Sequence, residues 1–222
     1  MLSLNLGFNS NQPLKVLCLG AHSDDIEIGV GGTILQMLAH NSNLDFTWVV
    51  FSAAGSKREQ EARSSAASFL KGARNFEIIV KGFRDGFYPY EGARIKDDFE
   101  QLKQQLSPDL IFTHYRSDRH QDHRTIHDLT WNTWRNHLIL EYEIPKYDGD
   151  LGQPNLFFPL TPEIAKRKAK FICEVFQTQG NKAWMTEDTF LGLMRLRGVE
   201  CANQYAEAFY SRKVVSELRC GD

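Results

Sequence analysis

Short apolar runs alternate with stretches of helical periodicity along the first two thirds of the chain, and this alternation restricts the fold more than any other feature. Lys15 to Ala21, Phe46 to Phe51, Phe76 to Val80 and Leu110 to His114 read as buried strands. Between them, Gly31 to Asn41, Arg58 to Leu70 and Ile95 to Leu106 carry apolar residues at helical spacing. Strand–helix alternation predicts a doubly wound α/β fold, a mostly parallel sheet with helices on both faces. His123 to Leu138 reads as a further helix. The punctuation then changes, because four of the seven prolines fall between Pro145 and Pro162. Leu156 to Phe158 is the one strand expected there. A helix from Thr161 to about Gln177, with Thr as N-cap and Pro in the first turn, follows it. Glu187 to Leu196 is the last expected helix and Tyr205 to Tyr210 a closing extended segment.

The 222 residues fit one domain, with a Rossmann-like core over 1–140 and a loop-rich, helical C-terminal part of the same domain over 141–222. Lys and Arg number 26 against 28 Asp and Glu, a net charge of −2 with no basic block, which argues against a nucleic-acid partner. No apolar stretch reaches the ~18 residues of a membrane span, and the first fourteen residues do not read as an export signal. Cys18, Cys173, Cys201 and Cys220 are scattered and form no CxxC pair, so a reducing cytoplasm is the expected compartment.

Chemistry concentrates at two expected strand ends. Directly after the first strand stands Ala21-His22-Ser23-Asp24-Asp25-Ile26-Glu27-Ile28-Gly29, an imidazole and two adjacent carboxylates within four residues. Alone, this run also suits a helix cap beside a loop histidine. After the fourth strand comes His114-Tyr115-Arg116-Ser117-Asp118-Arg119-His120-Gln121-Asp122-His123, and four of the seven histidines lie between His114 and His127. Strand ends of one parallel sheet can face each other across a crevice. His22 and Asp25 from one end and His123 from the other would then form a two-histidine, one-carboxylate zinc site with a position open for water. Asp122 suits a supporting role behind a zinc-bound imidazole. His127 is expected to be an ordinary helix residue.

With both clusters in view, the sequence resembles the LmbE-like, or PIG-L, superfamily of zinc-dependent de-N-acetylases. Its first motif, A-H-P-D-D-x-E-I-G with a following Gly pair, is matched by AHSDDIEIG and Gly31-Gly32; its second, H-x-D-H preceded by an Asp, is matched by DRHQDH from Asp118. Arg58-x-x-Glu61, Asp85-Gly86, Gln177-Thr178-Gln179 and YAEAFY from Tyr205 extend the likeness over most of the chain. Ser23 replaces the usual proline.

The resemblance implies that His22, Asp25 and His123 bind Zn2+, that Asp24 is the general base, and that His120, protonated, assists at the developing oxyanion. It places Arg58 and Asp85 near a small-molecule substrate, an N-acetylated amino sugar or its conjugate. From the residues alone, Arg58 could instead pair with Glu61 along an exposed helix face, and Asp85 could serve only an Asp-Gly turn. A superfamily member that keeps the metal but performs a different amide hydrolysis or none is the second reading, and a receiver-like Mg2+-binding module the third. Similar proteins self-associate, which leaves a homo-oligomer as a further expectation.

Overall fold

The computed structural model describes residues 12–216. Residues 1–11, on which the export-signal expectation mostly rests, and Cys220 lie outside the described residues. Seven strands, β1 (Leu14–Gly20), β2 (Leu44–Val50), β3 (Asn75–Val80), β4 (Leu110–His114), β5 (Leu138–Tyr142), β6 (Leu156–Leu160) and β7 (Tyr205–Ser211), form one sheet in the order β3-β2-β1-β4-β5-β7-β6. The first five are parallel, whereas β7 runs antiparallel to both β5 and β6. Six helices cover the sheet: α1 (Asp25–His40), α2 (Lys57–Phe69), α3 (Gly92–Gln105), α4 (Gln121–Thr133), α5 (Pro162–Val175) and α6 (Glu187–Glu200).

The buried strands supply both cores by alternation, as period-2 side chains must. Val16, Cys18 and Phe112 point to the face covered by α1, α2, α5 and α6. Leu17, Leu19 and Ile111 point to the face covered by α3 and α4, where Phe99, Ile126 and Trp134 meet them. The strand order departs in opposite directions from β1 and β4, so the loops beyond their carboxyl ends line the crevice where ligands bind in open α/β sheets. Those loops carry the two chemical clusters.

Three expectations require correction. The first helix begins at Asp25, not Gly31. The second concerns Leu138, placed at the end of a helix: α4 stops at Thr133, and Leu138–Tyr142 is strand β5, which the periodicity concealed because a short apolar run following a helix has no distinctive period of its own. The third is the Leu156 strand, which continues to Leu160, while the Tyr205 segment is inserted between it and β5.

Helix α1 contains three glycines that argue against a helix by propensity, and the packing explains each: a Cβ on Gly31 would stand 2.6 Å from Phe69 Cε1. A Cβ on Gly29 would stand 2.1 Å from Tyr142 Cδ2. On Gly32 it would stand 2.8 Å from Glu207 Oε1, the atom that accepts the Gly32 N–H at 2.8 Å. Glu207 also accepts from the Thr33 N–H, and buried Lys168 bridges Glu207 (2.5 Å) and the Ile28 carbonyl (2.6 Å). Gly29→Ala is accordingly expected to lower stability by about 1–3 kcal/mol through overpacking, despite a better helix propensity. An unchanged urea midpoint would contradict this close approach.

Candidate metal centre and active site

The turn from β1 into α1 is tightened by a hydrogen bond from the His22 backbone N–H to Asp25 Oδ2 (2.6 Å), which folds the imidazole and the carboxylate toward one point. From the other strand end, α4 delivers His123 in its first turn. His22 Nδ1 lies 3.2 Å from His123 Nε2 and 3.3 Å from Asp25 Oδ2, and His123 Nε2 lies 3.4 Å from Asp25 Oδ1. Ligands about 2.0–2.1 Å from a tetrahedral zinc stand roughly 3.3–3.4 Å apart, so these separations fit a zinc ion.

The far side of each ring makes the same point. His22 Nε2 faces Asp122 Oδ2 at 3.2 Å and Asp85 Oδ1 at 3.1 Å. His123 Nδ1 faces Asp118 Oδ2 at 2.8 Å. A carboxylate behind an imidazole fixes its tautomer and directs the opposite nitrogen at a metal. Asp122 fills the supporting position expected of it, and it also accepts the backbone N–H groups of Gly86 (2.6 Å) and Tyr88 (3.1 Å), locking the Asp85 loop. Asp118 was recognised only as part of a motif. Its contact with His123 spans a turn that sequence spacing does not reveal, and Lys146, 3.0 Å away, comes from a loop with no motif at all. Asp118→Ala is expected to weaken zinc binding by about 10- to 100-fold while the fold persists, as measured by competition with a chromophoric chelator.

His114 is a further residue that no reading of the sequence assigned. It is fully buried, stacks on His123 with ring centroids 3.9 Å apart, and accepts the Ala21 N–H at Nε2 (3.0 Å). Burial, then the neighbouring His123, pushes it down to about 3, so it is a neutral spacer behind the centre.

Arg58 makes no i,i+3 pair with Glu61. Its guanidinium reaches Ser23 Oγ (3.0 Å), Asp24 Oδ1 (3.2 Å) and Asp85 Oδ2 (3.3 Å), so Ser23 becomes an anchor for this arginine. Burial, reinforced by Asp25, raises the Asp24 carboxyl above the ordinary range, with Arg58 pulling the other way. Asp85 is half-exposed and held down to about 2, chiefly by the His22 hydrogen bond. His120 caps α4, its Nδ1 accepting the Asp122 N–H at 3.3 Å, which leaves Nε2 as the proton-bearing nitrogen. Burial, then the neighbouring His123, lowers the basicity of the His120 ring. Its ring centroid lies 4.8 Å from that of His22. His22, Asp24, Asp25, Arg58, Asp85, His120 and His123 line one pocket. His127 is a buried helix residue bonded to Glu141, away from the pocket.

Comparison with known proteins identifies the family and the fold. The family model for GlcNAc-PI de-N-acetylase, PIG-L, matches residues 17–134, more than half of the chain. An uncharacterised deacetylase of Escherichia coli K12, YaiS, is 24% identical over 143 residues, covering 62% of this chain and 77% of its own. The N,N'-diacetylchitobiose deacetylase of Pyrococcus horikoshii superposes with a TM-score of 0.67 at 22% identity, over 89% of this chain and 83% of that one. GalB of Pseudomonas putida KT2440, a 4-carboxy-2-hydroxymuconate hydratase, superposes with 0.64 at 16% identity, over 93% of this chain and 100% of its own. Fold alone therefore does not set the reaction. Both sequence motifs lie within the matched residues and carry the converging side chains, and on that ground the chain belongs to the PIG-L family of de-N-acetylases.

Proposed function

We propose that this protein removes the N-acetyl group from an N-acetylated amino sugar, N-acetylglucosamine or its conjugate, with Zn2+ held by His22 Nδ1, His123 Nε2 and an Asp25 oxygen. The observation that carries the reading is the pair of imidazoles, each backed by a carboxylate, whose free nitrogens meet Asp25 at tetrahedral spacing. When bound, zinc supplies Lewis acidity, polarising an acyl oxygen and bringing the pKa of water to about 7.

The remaining work belongs to side chains. Asp24, adjacent to a ligand and raised in basicity by burial, takes a proton from water and returns it to the departing amine. Arg58 keeps Asp24 aligned by binding Oδ1, leaving Oδ2 for the proton. His120 donates its Nε2–H to the acyl oxygen as negative charge develops there, a role that a neutral imidazole fills. Asp85, half-exposed at the rim, accepts sugar hydroxyls. The three described cysteines, Cys18, Cys173 and Cys201, are free, and no helix among the described residues is long and apolar enough to cross a membrane; both features suit the cytoplasm.

The test is metal analysis of the purified protein together with amine release over a panel of N-acetylglucosamine conjugates. Stoichiometric zinc and release from at least one conjugate are expected. A zinc-loaded protein that releases amine from none would overturn the reading.

A further inference from the structure

The pocket has two halves. The inner half holds the metal centre with Asp24, Arg58 and His120; the outer half is built by Tyr147 and Asp148 from the β5–β6 connection and by Lys182 and Trp184 from the segment joining α5 to α6. The two outer segments are joined by the Ala183 N–H donating to the Tyr147 hydroxyl at 3.1 Å. They offer aromatic surface, since Tyr147 is 73% exposed and Trp184 is half-buried.

At its start the α5–α6 segment is anchored by a side chain of α2. Glu61 Oε1 accepts the Thr178 N–H at 3.1 Å and Oε2 accepts the Thr178 hydroxyl at 2.6 Å. From Thr178 the chain is locally fixed: Gln179 is buried, the Lys182 N–H donates to the Gln179 carbonyl (2.9 Å), and the Met185 N–H donates to the Lys182 carbonyl (3.0 Å). One turn of α2 thus sends Arg58 into the inner half and Glu61 to the root of the outer half.

We propose that Glu61 is a positioning residue for specificity: by gripping Thr178 it places the Lys182–Trp184 segment, which with Tyr147 forms the wall that receives the group attached to the amino sugar. The proposal rests on the de-N-acetylase reading for its substrate. The occupant is a ring with an apolar face, such as a second sugar or an aromatic aglycone, stacked against the aromatic side chains.

The experiment compares free N-acetylglucosamine with its aryl glycoside, using zinc-loaded wild type, Glu61→Ala, Glu61→Gln and Thr178→Val, alongside amide hydrogen exchange. Glu61→Ala is expected to raise KM for the aryl glycoside about three- to tenfold, as loss of a partly exposed charged hydrogen-bond pair allows, with kcat, zinc content and the KM of the free sugar unchanged. Thr178→Val should move in the same direction by less. Glu61→Gln should rescue, because its carbonyl accepts the Thr178 N–H while its amide donates to the hydroxyl. Exchange over 178–185 should quicken in Glu61→Ala, less so in Thr178→Val, and stay at the wild-type rate in Glu61→Gln. An equal KM change for both probes, or unaltered protection over 178–185, overturns the proposal. If wild type releases amine from neither probe, the reaction reading and its aglycone wall fall together, and the exchange data then decide whether Glu61 places the segment.

Discussion

Asp24→Asn is expected to retain its zinc and to lose about 10²–10⁴-fold in kcat/KM, the range that a positioned general acid–base contributes. The substitution keeps the shape of the side chain, and its carbonyl can still accept from Arg58 as Oδ1 does at 3.2 Å. What disappears is the capacity to take up a proton, which an amide lacks. Because Asp24 contributes none of the converging ligand atoms, metal content measured on the same sample should match wild type. A loss below tenfold would assign the base to another group, and loss of the metal would make Asp24 a ligand.

The second large effect concerns His123→Ala, which should weaken zinc binding by more than the about 100-fold limit expected when only a supporting carboxylate is removed. His123 Nε2 completes the triangle with His22 Nδ1 and Asp25. His114, stacked directly behind, offers no replacement because its Nε2 already accepts the Ala21 N–H. Circular dichroism separates loss of metal from loss of fold. Full zinc content in this variant would place the ion elsewhere in the cluster, for instance among His22, Asp85, His120 and Asp122, whose candidate ligand atoms also lie within 4.8 Å of one another.

The parts of the site that were readable from sequence are those encoded locally. His22 and Asp25 sit three residues apart in a turn, and His120 and His123 three apart at a helix start, so spacing alone suggested convergence once both fell at strand ends. Contacts made across the sheet left no local trace. Glu61 reads as a helix-face charge until α5 brings Thr178 against it, and Lys146 reaches Asp118 only through the path of the β5–β6 connection. The fold followed the same division. Strands bounded by turns were plain, whereas β5 was hidden behind α4, and the start of α1 was masked by glycines whose purpose is to admit Tyr142 and Glu207.

The Lys168–Glu207 bridge into α1 has a consequence for how the molecule comes into being. The helix that begins at Asp25 has backbone groups at Ile28, Gly32 and Thr33 engaged by side chains from α5 and from the last strand. Until β7 has left the ribosome Gly32 and Thr33 have no such partner, Lys168 lacks Glu207, and β5 lacks the neighbour that closes its open edge. Asp25, one of the proposed ligands, opens this helix, yet the helix is clasped only once β7 has been made. A nascent chain halted before Tyr205 should therefore expose an unfinished centre to the metals of its surroundings.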